Sequence, residues 1–196
     1  MASRTKLSGS PGYGEGREAL LQAAVTVVAA GGLRALTYRA VAEKAGVTHG
    51  LVRHHFGSRD ALIVAATEYS LSPVLVASGV TESAGNLRSF AGGIPTMIQR
   101  EQEMVAFQYE VMLESVRRPE LRPAVKAMLE GLRGGIVADL RQRGLPVTPA
   151  TGAMVTAALD GIVLQGLTLQ DPKFVQSALR ELRSLLAHLP GSAVTS

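Results

Sequence analysis

Apolar residues recur every three or four positions along most of this 196-residue chain. Such spacing places them on one face of an α-helix, and no stretch shows the apolar–polar alternation that predicts a β-strand. The first apolar stripe, which includes Leu20 and Ala24, predicts a helix over residues 17–30. The glycines at positions 31 and 32 should end it. The pattern therefore predicts an all-α fold.

Two short helices joined by a tight turn are predicted between residues 37 and 60. Thr37 is a good N-cap for the first of them. Val41 and Ala45 share one face of that helix, and Gly46 supplies the left-handed residue that ends it. The next helix then starts at residue 48, so the segment reads as a helix–turn–helix.

The second helix of this segment, over residues 48–56, has two different faces. Val52 and Phe56 lie four positions apart and can pack into a core. The other side combines a small, an apolar and a cationic residue, which suits the major groove of DNA, and it comprises Gly50, Leu51, Arg53 and His54. A surface helical hairpin has the same spacing, so spacing alone leaves both interpretations open.

The residue string favours DNA binding. Residues 36–62 read LTYRAVAEKAGVTHGLVRHHFGSRDAL, which resembles the helix–turn–helix of the TetR family of bacterial transcriptional regulators, LTxRxVAxxAGVxxGxxxxHFGSxxAL. The resemblance implies a three-helix DNA-binding head in which Arg59 contacts a phosphate. The chain departs from the family at Arg53, where a phosphate-contacting tyrosine is usual. An arginine there can bind a phosphate or read a guanine.

DNA contacts are expected along the whole motif. Thr37 and Thr48 begin helices whose unpaired backbone N–H groups suit phosphates. Tyr38 is expected either to hydrogen-bond a phosphate or to cover the hairpin. The remaining contacts are expected from Arg39, His49 and Arg59 on the DNA backbone and from Leu51, Arg53 and His54 at base edges.

Positive charge is concentrated around this motif. Residues 1–60 hold eight Lys or Arg against four Asp or Glu, and the remaining residues hold twelve of each sign, so the whole net charge of +4 lies in the first 60 residues. A phosphate-binding surface has this footprint, and so has a solvated basic face. Residues 1–16 should be disordered, with Arg4 and Lys6 available to a minor groove.

Further helices are predicted after the head. Residues 60–72 continue helically, and Pro73 should kink or end that helix. A loop is expected over residues 78–86. The later helical stretches are residues 96–118, 119–143, 149–170 and 172–189.

The last two helices are predicted to pair two subunits. Residues 149–169 are apolar on most sides, which a single layer of helices cannot cover. This stretch also resembles the last-but-one helix of TetR-family proteins, which forms their dimer interface together with the final helix. The expected interface residues are Met154, Ala158, Ile162, Gln165, Leu169, Leu179, Leu182 and Leu186.

A small-molecule effector site is expected within the C-terminal helices. Methionine fills irregular gaps and makes adaptable surfaces, and a composition with few aromatic and many aliphatic residues favours an apolar ligand. The expected lining residues are Met97, Met104, Phe107, Gln108, Met112, Met128 and Met154. Ordinary core packing is the alternative explanation of the same residues.

Other functions have little support in the sequence. The absence of cysteine excludes disulfides and thiolate metal sites, and the histidines at 49, 54 and 55 lack the carboxylates that would complete a metal centre. Glu110 and Glu114 lie one turn apart without a nucleophile or base nearby, so no enzyme is expected. Apolar runs are broken by charges, Gly or Pro, and no signal peptide is recognisable, so we expect a cytoplasmic protein without a membrane partner.

The predicted organisation is a disordered arm over residues 1–16, a head over 17–60, an effector-binding and dimerisation domain over 61–190 and a disordered tail over 191–196. The resemblance implies a homodimeric repressor, without a cofactor, that releases operator DNA when a small apolar effector binds. A constitutive DNA-binding regulator without an effector is the alternative.

Overall fold

The computed structural model describes residues 13–80 and 86–189, and the regular elements in these ranges are all helical. The α-helices are α1 (Tyr13–Ala35), α2 (Tyr38–Ala45), α3 (His49–Phe56), α4 (Arg59–Ala77), α5 (Ile94–Arg100), α6 (Gln102–Arg117), α7 (Arg122–Gln142), α8 (Pro149–Leu169) and α9 (Pro172–Ala187). Short 3-10 turns span Leu87–Ser89 and Pro119–Leu121. The prediction of an all-α fold is confirmed.

The predicted terminal segments and most of the predicted loop lie outside the described residues. These parts are residues 1–12, 81–85 and 190–196. Composition predicts that residues 13–16 belong to the disordered arm, but they form the first turn of α1. Glycine and serine content alone therefore places the start of α1 too late.

The head consists of α1, α2 and α3 packed around a common apolar core. Leu20, Leu36, Val41 and Val52 are fully buried there. α1 is interrupted at Gly32, which has φ 70° and ψ 175°. A residue with a Cβ is strained at such a positive φ, so the glycine pair breaks the helix where the sequence predicted.

Helix α4 belongs to both parts of the chain. Leu62, Ile63 and Ala66 are buried near its N-terminal end, and Val74 is buried near its C-terminal end. The sequence predicts that Pro73 should kink or end the helix, and of these two outcomes the end is contradicted, since α4 continues to Ala77. Proline removes only one backbone hydrogen bond, and the buried residues on both sides of it keep the helix packed.

The predicted helix over residues 96–118 is two helices. α5 and α6 are separated at Glu101, which has φ −110° and ψ 27°. Met97 and Met104 are both buried and lie seven positions apart, as they would in one continuous helix. Apolar spacing therefore did not reveal the break.

A buried ion pair stabilises the far end of the C-terminal domain. Arg143 Nε lies 2.8 Å from Asp139 Oδ2, and both side chains are only 1% exposed. Arg143 Nη1 also donates to the Asn86 carbonyl oxygen at 2.6 Å and to Ser89 Oγ at 2.8 Å. The pair thus ties the 3-10 turn over residues 87–89 to the end of α7.

Three helices are long and apolar enough to cross a membrane by length and composition: Gly16–Ala35, Arg59–Ala77 and Pro149–Leu169. This differs from the expectation that breaks would leave no such run. Each of them contributes residues to the protein core, including Leu20 of α1, Ile63 of α4 and Val155 of α8. Burial inside the helical protein accounts for their apolar faces.

Candidate DNA-binding surface and effector cavity

Helix α3 presents the two faces that its sequence predicted. Val52 and Phe56 are buried in the head, and the guanidinium carbon of Arg17 lies 5.4 Å from the centre of the Phe56 ring. The opposite face is exposed at His49, Gly50, Arg53 and His54, and Leu51 is half-buried. A Cβ at Gly50 would meet no atom within 4 Å. The glycine thus leaves a gap toward solvent that the packing of the head does not require.

The two predicted N-cap threonines differ in what their hydroxyls do. The Ala40 backbone N–H donates to Thr37 Oγ1 at 3.1 Å, so Thr37 caps α2 as expected. Thr48 precedes α3 with an extended backbone but makes no side-chain capping hydrogen bond. The Thr48 hydroxyl therefore engages no backbone donor at the N-terminus of α3, where the Leu51 N–H donates to the Thr48 carbonyl oxygen at 3.1 Å.

Tyr38 and Arg39 open α2 side by side but have different surroundings. Tyr38 is half-buried and packs against the head core. Arg39 is exposed, as is Arg53 on α3. Both arginines can therefore reach a polyanion beside the head, and Tyr38 also has the covering position that the sequence analysis allowed.

Arg59 is half-buried, and its guanidinium makes hydrogen bonds within the chain. Its Nε donates to the Leu36 carbonyl oxygen at 2.7 Å, and its Nη2 donates to the carbonyl oxygen of Leu33. These carbonyls lie at the end of α1, where backbone acceptors lack helical partners. We therefore propose that Arg59 fastens α4 to the end of α1, in place of the expected phosphate contact.

The adjacent residue, Asp60, connects the head to the C-terminal domain. Arg118 Nη2 lies 2.5 Å from Asp60 Oδ1, and Arg118 Nε lies 2.9 Å from Glu120 Oε1. Hydrogen bonds to these two carboxylates raise the pKa of Arg118. Sequence analysis missed this contact, because the 58 positions between Asp60 and Arg118 leave no local signal.

The clustered histidines do not form a closed site. His49 and His54 are exposed, and the rings of His54 and His55 meet edge to face with centroids 5.8 Å apart. In the part of the chain that the structure describes, no group of three or more His, Asp or Glu side chains is placed to hold a metal ion.

A cavity of about 60 Å³ lies between α4, α5, α6, α7 and α8. Of the predicted pocket residues, Met97, Gln108 and Met112 line it. Three others, Met104, Phe107 and Met128, are buried away from its walls. The prediction is wrong for Met154, which is 56% exposed on the outer face of α8. Methionine content identified the right helices but could not show which side chains face the cavity.

Two polar groups of the cavity wall are already engaged. Gln108 Nε2 lies 3.0 Å from both the carbonyl oxygen and the Oγ of Ser70 and donates to them. The Tyr109 hydroxyl donates to the backbone carbonyl oxygen of Asp160 at 3.0 Å. Burial, with a smaller contribution from the Asp160 charge, raises the pKa of Tyr109. These groups are therefore held in place before any ligand arrives.

Asp160, which is half-buried, is a cavity-lining residue that the sequence analysis did not single out. Its side chain lines the cavity, and no hydrogen bond or ion pair to its carboxylate is found among the described residues. Burial raises the pKa of this carboxyl to about 6. In the sequence, a single acidic residue within the apolar run of α8 was the signal that could have identified Asp160.

The predicted dimer residues fall into two groups. Met154, Gln165 and Leu169 are exposed, and Ala158 is half-buried. The other four residues are buried in the core of their own chain, because α9 packs its apolar side onto α8. They are Ile162, Leu179, Leu182 and Leu186. These four are corrected to core residues. An outer row on α8, here called the α8 stripe, contains no charge and comprises Met154, Ala157, Gly161, Leu164, Gln165 and Thr168.

Comparison with known families agrees with this architecture. Residues 20–66 match the family described as bacterial regulatory proteins, tetR family, and residues 78–189 match the tetracyclin repressor-like C-terminal domain. The chain belongs to the TetR family. It is therefore a DNA-binding transcriptional regulator and not an enzyme. The family membership that the helix–turn–helix sequence indicated is confirmed. The apolar helices of a TetR-family protein are not a sign of a membrane protein.

Individual TetR-family proteins resemble this chain along most of its length. The HTH-type transcriptional regulator BetI of Paraburkholderia xenovorans is 26% identical over 172 residues, which cover 84% of this chain and 88% of BetI. The multidrug binding protein EbrR, solved with proflavin, is 30% identical, with a TM-score of 0.62 and coverage of 87% of this chain and 99% of EbrR. A TetR-family member from Streptomyces coelicolor is 29% identical, with a TM-score of 0.71 and coverage of 88% and 98%.

Proposed function

We propose that this TetR-family regulator is a cytoplasmic homodimeric repressor that releases its operator when an effector occupies the cavity between α4 and α8. The observation that carries the proposal is the continuity of α4. Val74 and Leu75 of this helix line the cavity, and Arg59 at its other end hydrogen-bonds the head. A displacement of α4 at the cavity is thereby transmitted to the DNA-binding surface.

The size of the cavity supports a ligand-driven change of shape. Its volume is about 60 Å³, whereas pockets that hold small organic ligands usually measure roughly 300–1,000 Å³. An effector must therefore push the lining helices apart. It then favours the expanded form by the difference between its affinities for the two forms. The structural neighbour EbrR, a multidrug binding protein, has been solved in complex with proflavin and with ethidium.

Dimerisation would place two heads on one operator. In a two-fold symmetric dimer, the two α3 helices enter major grooves about one helical turn, roughly 34 Å, or a multiple of it apart. The uncharged α8 stripe is the surface that supports this pairing. A change in the angle of α4 would alter the separation of the heads and weaken binding to both half-sites together.

The small cavity also favours the second candidate, a constitutive regulator without an effector. A core that is nearly filled needs no ligand for stability. The two candidates share the DNA-binding surface and differ only in whether a ligand changes operator affinity.

The testing experiment selects genomic fragments with the purified protein at near-physiological salt and footprints the enriched sites. A palindromic site with two protected half-sites is the expected result. Binding that depends on salt but not on sequence would contradict the operator proposal. A ligand that binds the protein without changing operator affinity would leave the constitutive regulator as the better description.

A further inference from the structure

One corner of the cavity differs chemically from the rest of its wall. Most lining residues are aliphatic or methionine, with Ser78, Gln108 and Thr156 as uncharged polar members. Asp160 is the charged lining residue, and Tyr109 stands beside it. Lysine, arginine and histidine are absent from the described lining. The cavity thus presents one negative charge among apolar groups.

The negative charge has no compensating partner within the described residues. Burying a carboxylate costs free energy unless a cation or hydrogen-bond donors stabilise it. Two donors of the cavity wall are committed, because the Tyr109 hydroxyl donates to the backbone of Asp160 and the Gln108 amide donates to Ser70. A ligand that brings its own positive charge would supply what the protein does not.

The same groups disfavour other ligand classes. An anionic ligand would meet the Asp160 carboxylate without a cationic residue in the cavity wall to offset the repulsion. A fully apolar ligand that covers the half-buried Asp160 would leave its carboxylate unpaired. An organic cation gains from both neighbours, since a carboxylate pairs with its charge and an aromatic ring attracts cations.

We propose that the effector is a monovalent organic cation with a compact apolar body, whose charged group lies against Asp160 and Tyr109. The apolar body would lie among Met97, Met112 and Leu132. The inference rests on the proposed effector site, and it replaces the purely apolar effector expected from the sequence.

The test compares two ligands of the same hydrocarbon framework, the 3,3-dimethylbutylammonium ion and 3,3-dimethylbutanol. Isothermal titration of the full chain at about pH 7.5, where the amine is protonated and Asp160 ionised, measures each without DNA. The cation should bind about tenfold or more tightly than the alcohol. Asp160→Asn should abolish that preference, and Glu130→Gln, which removes an exposed acid of α7 outside the cavity, should preserve it.

A pH series supplies a measurement that needs no variant. The titratable groups of the described lining are Asp160 on α8 and Tyr109 on α6. The lining residues of α4, α5 and α7 include no titratable group. Cation affinity should therefore be full above pH 7 and fall as the pH drops through about 6, where Asp160 becomes neutral. The affinity of the alcohol should stay level across the same range.

Each outcome decides a separate point. Equal affinities for the two compounds, an unchanged preference in Asp160→Asn, or no binding of the cation at millimolar concentration would overturn the cation proposal. Cation binding through Asp160 that leaves operator affinity unchanged would support the ligand class and contradict effector-driven release. Release of the operator by the alcohol alone would support effector-driven release and contradict the proposed ligand class.

Discussion

Arg39 and Arg59 have the same charge and lie within one helix–turn–helix segment, but their surroundings differ. Arg39 is exposed at the start of α2, whereas the Arg59 guanidinium is held by carbonyl oxygens at the end of α1. The sequence suggested phosphate contacts for both, because a basic residue beside a recognition helix has that role in the family. The acceptors that hold Arg59 are backbone atoms 23 and 26 positions away, which residue type cannot reveal.

This difference predicts opposite results for two substitutions. Arg59→Ala should lower the free energy of unfolding by about 1–3 kcal/mol, since charge-assisted hydrogen bonds to two carbonyls are lost, and should leave the salt dependence of operator binding unchanged. Arg39→Ala should leave stability unchanged and flatten the salt dependence by about one unit. Thermal denaturation and binding isotherms at several salt concentrations measure both. A flatter salt dependence in Arg59→Ala would restore its phosphate role.

Gly50 is predicted to let DNA approach α3 closely, because it has no side chain on the exposed face of that helix. Nothing lies within 4 Å of a Cβ built there, and α3 is regular at this position. We expect Gly50→Ala to raise stability by up to about 1 kcal/mol, because alanine favours the helix, and to weaken operator binding by crowding the groove. Gly134→Ala, at an equally open position on α7, is the control and should raise stability without affecting DNA binding. Unchanged operator affinity in Gly50→Ala would contradict the assigned DNA-facing side of α3.

At the scale of elements, local sequence signals predict where helices begin, whereas tertiary contacts determine where a helix breaks or continues. Thr37, Ser58, Thr148 and Asp171 each accept a capping hydrogen bond where their helices begin. By contrast, the break at Glu101 and the passage of α4 through Pro73 depend on packing across the domain. A helix cap depends on residues that are neighbours in the sequence. Whether a helix breaks or continues depends on contacts with residues that are distant in the sequence.

The Asp139–Arg143 pair shows how much one element end can depend on a buried charge. Arg143→Ala should lower the free energy of unfolding by about 3–5 kcal/mol, because it leaves Asp139 buried without its cation. Lys126→Ala removes one member of an exposed pair with Glu130 on the same helix and should change stability by about 0.5 kcal/mol or less. Chemical denaturation of both variants gives the comparison. Equal effects would mean that water reaches Asp139 in solution.

At the scale of the whole molecule, the sequence predicted a fold and a surface more successfully than an interior. The exposed side of α3 follows from a local pattern of eight residues. The cavity is assembled from five helices, so its charged residue emerges only after they pack. For the same reason, the leucine stripe of α9 fitted a subunit interface and the internal core equally well, and packing onto α8 assigned it to the core.

Pairing through the α8 stripe makes a prediction about assembly. Leu164→Glu places a charge on a side chain that is 44% exposed in one chain. We expect a monomer in sedimentation and a loss of operator affinity of about a hundredfold or more, since two linked heads bind far better than one. Leu113→Glu, on α6 and 65% exposed, should remain dimeric. The opposite pattern would move the interface to the outer side of α6.

The continuity of α4 also limits how this regulator can be re-engineered. A chimaera that joins its head to another sensor at residue 60, where the sequence suggested a boundary, would cut α4 after its second residue. The transplanted head would lose Leu62, Ile63 and Ala66. A graft that carries α4 through Thr67 would keep these core residues, and it should fold where the shorter one does not. The joint of such a hybrid therefore lies inside a helix, and matching the helical phase of the two parents becomes the main design requirement.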